Sequence, residues 1–155
     1  MEGFRHVTPI TVRFRDVDVM GHVNNAVIFT YLEMARVEYL CHVIFAELDR
    51  EAAGKASGPL SPCRRLAELP VILAQIGCQF KTPIYFGQKV EVGTRVMEMR
   101  NSSIIIQQRI EADGQLAALS DSAVVHYDYQ AARSVRIPDE TRARVEAFEA
   151  TGEGE

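Results

Sequence analysis

Residues 26–48, AVIFTYLEMARVEYLCHVIFAEL, contain no glycine or proline and are apolar on almost every side. Good helix formers predominate, and Asn24 or Asn25 stands ready as N-cap. Glu33, Arg36, Glu38 and Glu47 are the main exceptions to the apolar character. Such a helix cannot rest on a surface, so the rest of the chain has to wrap it. At about 1.5 Å per residue it would span roughly 35 Å, the width of a small domain.

The material for wrapping is strand-rich. ITVRFR (10–15) alternates and predicts a first strand. VILAQIGCQF (71–80) puts Ile72, Ala74, Ile76, Cys78 and Phe80 on one wholly apolar face. QKVEVGTRVMEM (88–99), SIIIQQRIEA (103–112) and QLAALSDSAVVHYDY (115–129) follow, the last two joined by the strong hairpin signal Asp113-Gly114. IPDETRARVEAFEA predicts a short C-terminal helix with acids in its first turn, where the helix dipole favours them. Residues 49–70 hold Gly, Ser and Pro and form a long loop with a short helical turn near its end. The pattern predicts an α+β fold over residues 1–150. A curled antiparallel sheet of about five strands wraps one long central helix, and 151–155 form a disordered tail. The far face of such a sheet stays uncovered, so a homo-oligomer is expected, a dimer or tetramer.

Composition narrows the function classes. The net charge of −4 over 155 residues argues against nucleic acid as a partner. The apolar stretches are broken by charges well before a bilayer-spanning length, so no membrane segment is expected. MEGFRHVTPI lacks the apolar core of a signal peptide. Cys41, Cys63 and Cys78 make an odd count without CxxC spacing, which suits reduced thiols and a cytoplasmic location. His6, His42 and His126 are scattered, so no metal site or cofactor is expected.

Polar chemistry concentrates in RDVDVMGHVNN (15–25), directly ahead of the helix. The whole stretch RFRDVDVMGHVNNAVIFTYLEMAR resembles the N-terminal signature of the 4-hydroxybenzoyl-CoA thioesterase family, whose members have the hotdog fold. The signature runs D-x-D-x-x-G-x-V, then an aromatic and an E-x-A-R segment on a helix. It corresponds here to Asp16, Asp18, Gly21, Val23, Tyr31, Glu33, Ala35 and Arg36. The string from Asp16 to Asn25 is also similar to plant acyl-ACP thioesterases of the same superfamily. Those relatives pair the histidine at the place of His22 with an asparagine two residues earlier, where this chain has Met20.

The resemblance implies an acyl-CoA thioesterase that hydrolyses its substrate to free acid and CoA. Asp18 takes the place of the catalytic carboxylate, and the backbone N–H at about Asn25 that of the carbonyl-oxygen site. Gly21 and His22 stand as substrate-binding neighbours. The chemistry agrees with these residue types. The first N–H groups of a helix lack intrahelical partners and point along its positive end, where an oxyanion is stabilised. A carboxylate beside them can attack the thioester as nucleophile, giving a mixed anhydride, or activate water as general base.

Plainer readings stand beside these. A D-x-D ahead of a helix usually serves loop and capping chemistry, and Asp16 is read as a turn or cap residue. Asn24 and Asn25 serve the cap in either case, and His22 is equally well a structural hydrogen-bonding group. Cys41 and Cys78 read as core, and nothing marks Cys63 as a nucleophile. Glu33 and Arg36 can pair along the helix as a structural ion pair. Arg64, Arg65 and Lys81 can meet coenzyme A phosphates or simply be solvated. A hotdog dehydratase would show H-G-x-x-P-like or D-x-N-P-x-H strings, which are missing here. The alternative from another class is an acyl-CoA-binding or regulatory module without turnover.

Overall fold

The computed structural model describes residues 1–47 and 66–150. The expectations for the 49–65 loop, Cys63, Arg64, Arg65 and the 151–155 tail lie outside those residues. Strand β1 (His6–Ile10) is followed by helix α1 (Asn25–Tyr39), then by strands β2 (Val71–Phe80), β3 (Val90–Met99), β4 (Ser103–Ala112), β5 (Gln115–Asp128) and the short β6 (Arg133–Ser134). Helix α2 (Asp139–Ala150) closes the order. The main sheet is antiparallel in the order β1-β3-β4-β5-β2, with β6 pairing the end of β5.

Strand β4 shows how the sheet receives the helix. Its residues alternate, with Ile104, Ile106, Gln108, Ile110 and Ala112 buried towards α1 and the intervening ones half-exposed. Gln108 is the polar tether within that face. Its amide donates to Leu32 O of α1 at 2.9 Å and to Thr94 Oγ1 at 3.1 Å, which fixes the helix on the sheet. The core divides along α1. One cluster gathers Ile28, Tyr31, Leu32, Ile84, Val90 and Ile110 around its first half, and the other gathers Tyr39, Ile44, Ile104, Ile106, Val124 and Val145 around its far end.

The long apolar run does not stay α-helical throughout. After Tyr39 it widens into a π-helical segment, Leu40–Ile44, closed by Phe45 N–H donating to Leu40 O at 2.7 Å. Leu40, Cys41, Val43, Ile44 and Phe45 are all buried, more consecutive apolar groups than one helical face can hide. The segment hides them by entering the second cluster. There α2 closes its end: Arg144 donates to Ile44 O at 2.6 Å, and the Tyr39 hydroxyl donates to Glu149.

Two strand expectations need correction. The first strand is His6–Ile10 rather than 10–15, because Phe14–Asp16 forms a 3-10 turn capped by Arg13 N–H donating to Asp16 Oδ2. Pro9 sits within this strand, which among the described residues borders the sheet and pairs only β3, so its missing N–H costs no ladder bond. Strand β2 keeps its expected bounds, but a bulge between Leu73 and Gln75 breaks its alternation. Ile72, Leu73 and Phe80 are exposed on this opposite margin of the sheet. The hairpin holds as expected, with φ of +50° at Asp113 and +76° at Gly114, as a tight two-residue turn requires. The thiols differ from expectation: Cys78 is free, whereas Cys41 is disulfide-bonded.

Candidate active site

The polar stretch folds as a small hairpin laid against the start of α1. Val17 bridges Val23, and Asp18 N–H donates to His22 O at 3.0 Å. Gly21 N–H closes the turn on Asp18 O at 3.0 Å, with φ of +87°, a conformation an L side chain would strain. Asp18 Oδ1 accepts from Met20 N–H at 2.8 Å, so the carboxylate is held by its own turn and remains half-exposed. The hairpin is tied down at both sides: Asn24 N–H donates to Asp16 O at 2.9 Å, and Val23 N–H to Ile84 O at 2.7 Å.

Asn24 is the N-cap. Its side-chain oxygen accepts from Ala26 N–H at 2.8 Å, and its carbonyl accepts from Val27 and Ile28. Asn25 is therefore the first helical residue. Its N–H has no intrahelical acceptor and finds no other among the described residues. Asn25 and His22 line a cavity of about 220 Å³, together with Phe80, Lys81, Thr82 and Ile84. His22 Nδ1 lies 3.2 Å from Val23 O, which can only accept, so the ring donates from Nδ1 and leaves Nε2 clear of that contact. Asp18 and Gly21 are not among the lining residues: they form the turn beside the cavity.

Asp16 does more than cap a turn. Its Oδ2 accepts from the Tyr31 hydroxyl at 2.7 Å and from Arg13 N–H, locking the loop onto the second turn of α1. Burial pushes the Asp16 carboxyl up. The Tyr31 and Arg13 hydrogen bonds, with the Arg15 and Arg13 charges, outweigh it and hold the group below the usual carboxylate range. Burial also pushes the Tyr31 hydroxyl up, reinforced by Asp16. A carboxyl with a lowered folded pKa contributes stability that is complete above its unfolded pKa, near 4, and is lost as pH falls through the lower folded value. Tyr31→Phe is thus expected to cost about 1–2 kcal/mol at neutral pH. It should also narrow the gap between melting temperatures at pH 7 and pH 3. An unchanged gap by calorimetry would remove Tyr31 as the anchor.

Sequence reasoning missed this Asp16–Tyr31 lock and the wall from Phe80 to Ile84, of which it connected only Lys81 with a ligand and read Phe80 as part of a strand face. Thr82-Pro83 interrupting an apolar strand was the available signal. Glu33 and Arg36 also differ from expectation: no ion pair joins them, and Arg36 is buried with an unsatisfied Nη1. Among the described residues, no three of His, Cys, Asp or Glu gather to hold a metal ion, and no helix is long and apolar enough to cross a membrane.

A curled antiparallel sheet around a central helix, with a capped polar turn at that helix's start, is the hotdog architecture of thioester hydrolases. Residues 12–145 match the model of the thioesterase-like superfamily, and the chain belongs to that family. Among solved structures it is similar to a thioesterase of Thermus thermophilus complexed with coenzyme A and zinc, at 31% identity and TM-score 0.78, over 97% of this chain and 98% of that one. The PA5185 protein of Pseudomonas aeruginosa PAO1 is similar at 27% identity and TM-score 0.69, over 95% and 93%. A DHNA-CoA thioesterase of Staphylococcus aureus shares the fold at 20% identity and TM-score 0.70, over 95% and 94%. No curated protein sequence matches the chain.

Proposed function

We propose that the protein is an acyl-CoA thioesterase using Asp18 as nucleophile or general base and the Asn25 N–H as oxyanion donor. The observation that carries this reading is the unpartnered first N–H of α1, at a cavity shared with His22 and next to the turn that holds Asp18. The substrate's thioester oxygen accepts from Asn25 N–H at the positive end of the helix. Asp18 then attacks the carbonyl carbon and CoA departs as thiolate, leaving a mixed anhydride for water to open; as general base, it instead takes the proton of an attacking water. His22, on the cavity wall, is placed to orient that water or the substrate through Nε2. Lys81 supplies a cation for the CoA phosphates at the cavity wall. The exposed apolar groups Phe14, Val19, Met20 and Phe86 around the turn support a homo-oligomer, in which a second chain covers them.

The test is release of free CoA from a panel of acyl-CoAs, followed with a thiol reagent. Turnover of at least one member is expected. Tight acyl-CoA binding by calorimetry without thiol release would make the protein a binding module instead.

A further inference from the structure

Arg36 is 5% exposed, and its Nη1 is enclosed with no hydrogen-bond partner among the described residues. It lines a cavity of about 380 Å³ whose other walls are mainly apolar, among them Val37, Leu40, Leu73 and Val124. Glu33, one turn earlier on α1, lines the same cavity and is exposed. Burial pulls the Arg36 guanidinium below its ordinary pKa, and the charge of Glu33 offsets this. What the cavity lacks is therefore an acceptor for Nη1 rather than a charge. Ser122, on the same buried face of β5 as Val124, is a second enclosed side chain whose polar atom has no partner among the described residues.

This cavity stands at the end of a path that starts at the candidate active site. Phe29 meets Phe80, a wall of the 220 Å³ cavity beside Asn25, edge-on at 6.1 Å. Leu73 shares the larger cavity with Arg36, so both cavities lie along the side of α1 that faces β2. Between Leu73 and Phe80, Ile76 and Cys78 are half-buried against the first core cluster and floor an apolar trough. At about 1.5 Å per residue, Arg36 stands roughly 16 Å along α1 from Asn25. The two charged groups select what can end there. A methyl end leaves Nη1 unsatisfied. A carboxylate accepts from Nη1 but sets its charge against Glu33 in the same cavity. A hydroxyl accepts from Nη1, donates its own proton to Glu33 and adds no charge.

We propose that the trough between α1 and β2 holds the acyl chain and that Arg36 and Glu33 bind a hydroxyl at its far end. The preferred substrates are then acyl-CoAs hydroxylated at a position remote from the thioester. This rests on the thioesterase reading and names its substrate class. Arg36 and Glu33 determine specificity and touch no reacting atom.

Hydrolysis of three length-matched series by the full chain tests it: unsubstituted acyl-CoAs, their ω-hydroxy analogues and their ω-carboxy analogues. At one chain length or more, kcat/KM for the ω-hydroxy chain should exceed that of the unsubstituted one by about tenfold or more. The ω-carboxy chain should fall below the ω-hydroxy one. R36M should bring the ratio of hydroxy to unsubstituted close to one. Glu33 is exposed, so E33Q folds even where R36M does not. It removes the opposing charge, and the ω-carboxy chain should gain on the ω-hydroxy one by about tenfold. Equal turnover of hydroxy and unsubstituted chains at every length overturns the proposal and leaves the thioesterase reading standing. A preference of the unmodified protein for ω-carboxy chains also overturns it, as does a hydroxyl preference that neither variant moves. If no acyl-CoA is hydrolysed, the thioesterase reading falls, and the same ranking read as calorimetric affinity decides what the trough binds.

Discussion

Asp18→Asn is expected to lower kcat by about a hundredfold or more, with little change in acyl-CoA binding and an unchanged fold. Asparagine keeps the size of the side chain and an oxygen that still accepts from Met20 N–H, so the turn closed by Gly21 survives. What disappears is the charge, and with it both a nucleophile and a base. The melting temperature should hold or rise slightly, because a half-exposed carboxylate held only by its own turn contributes little to folding. Asp16→Asn is the informative companion. It weakens the anchor to Tyr31 and should appear mainly as lost stability, with a much smaller effect on rate. His22→Ala should fall between the two in rate. Near-normal turnover by a folded Asp18→Asn protein would sink the assignment, and an equally inactive but fully stable Asp16→Asn would move the chemistry two residues upstream.

The second large effect is expected from Asn25→Pro. Proline deletes one backbone N–H and is well tolerated at the first helical position, where that group has no intrahelical acceptor. The residue before it, Asn24, has φ −60° and ψ 137°, the extended region a following proline requires. The helix cap, made by the Asn24 side chain on Ala26 N–H, is untouched. The folded protein should therefore lose one oxyanion donor and little else, a fall in kcat of about a hundredfold to a thousandfold, or roughly 3 kcal/mol. Asn25→Ala removes the side chain, keeps the N–H and should be mild. If the proline variant turns over normally while circular dichroism shows an intact helix, the oxyanion lies elsewhere. If alanine is as damaging as proline, the amide side chain is the group that matters.

Local signals carried most of the architecture. Strands β2 and β4 have the bounds that hydrophobic runs and flanking turn residues imply, and Asp113-Gly114 makes the tight hairpin its φ values demand. The start of α1 was legible for the same reason, since an N-cap is a contact between residues two apart. Features set by distant partners were not. The strand misplaced onto 10–15 ends at Ile10 because Asp16 caps a turn whose other anchor, Tyr31, lies fifteen residues away. The site cavity needs the Phe80–Ile84 segment, which the Ile84 carbonyl ties to the hairpin through Val23.

The sequence by itself determined that this chain has one central helix, that strands must surround it, and that its polar chemistry gathers at that helix's first turn. Periodicity, turn residues and caps are short-range physics and can be read from neighbours along the chain. Only the tertiary structure decided that the helix widens to a π segment after Tyr39, where five buried residues in near succession meet the second core cluster. It also decided that Arg36 lies buried with its Nη1 unsatisfied among the described residues, while Glu33 on the same stripe stays exposed. Burial is a property of the whole packed chain, and a one-turn spacing of opposite charges does not say whether they meet each other.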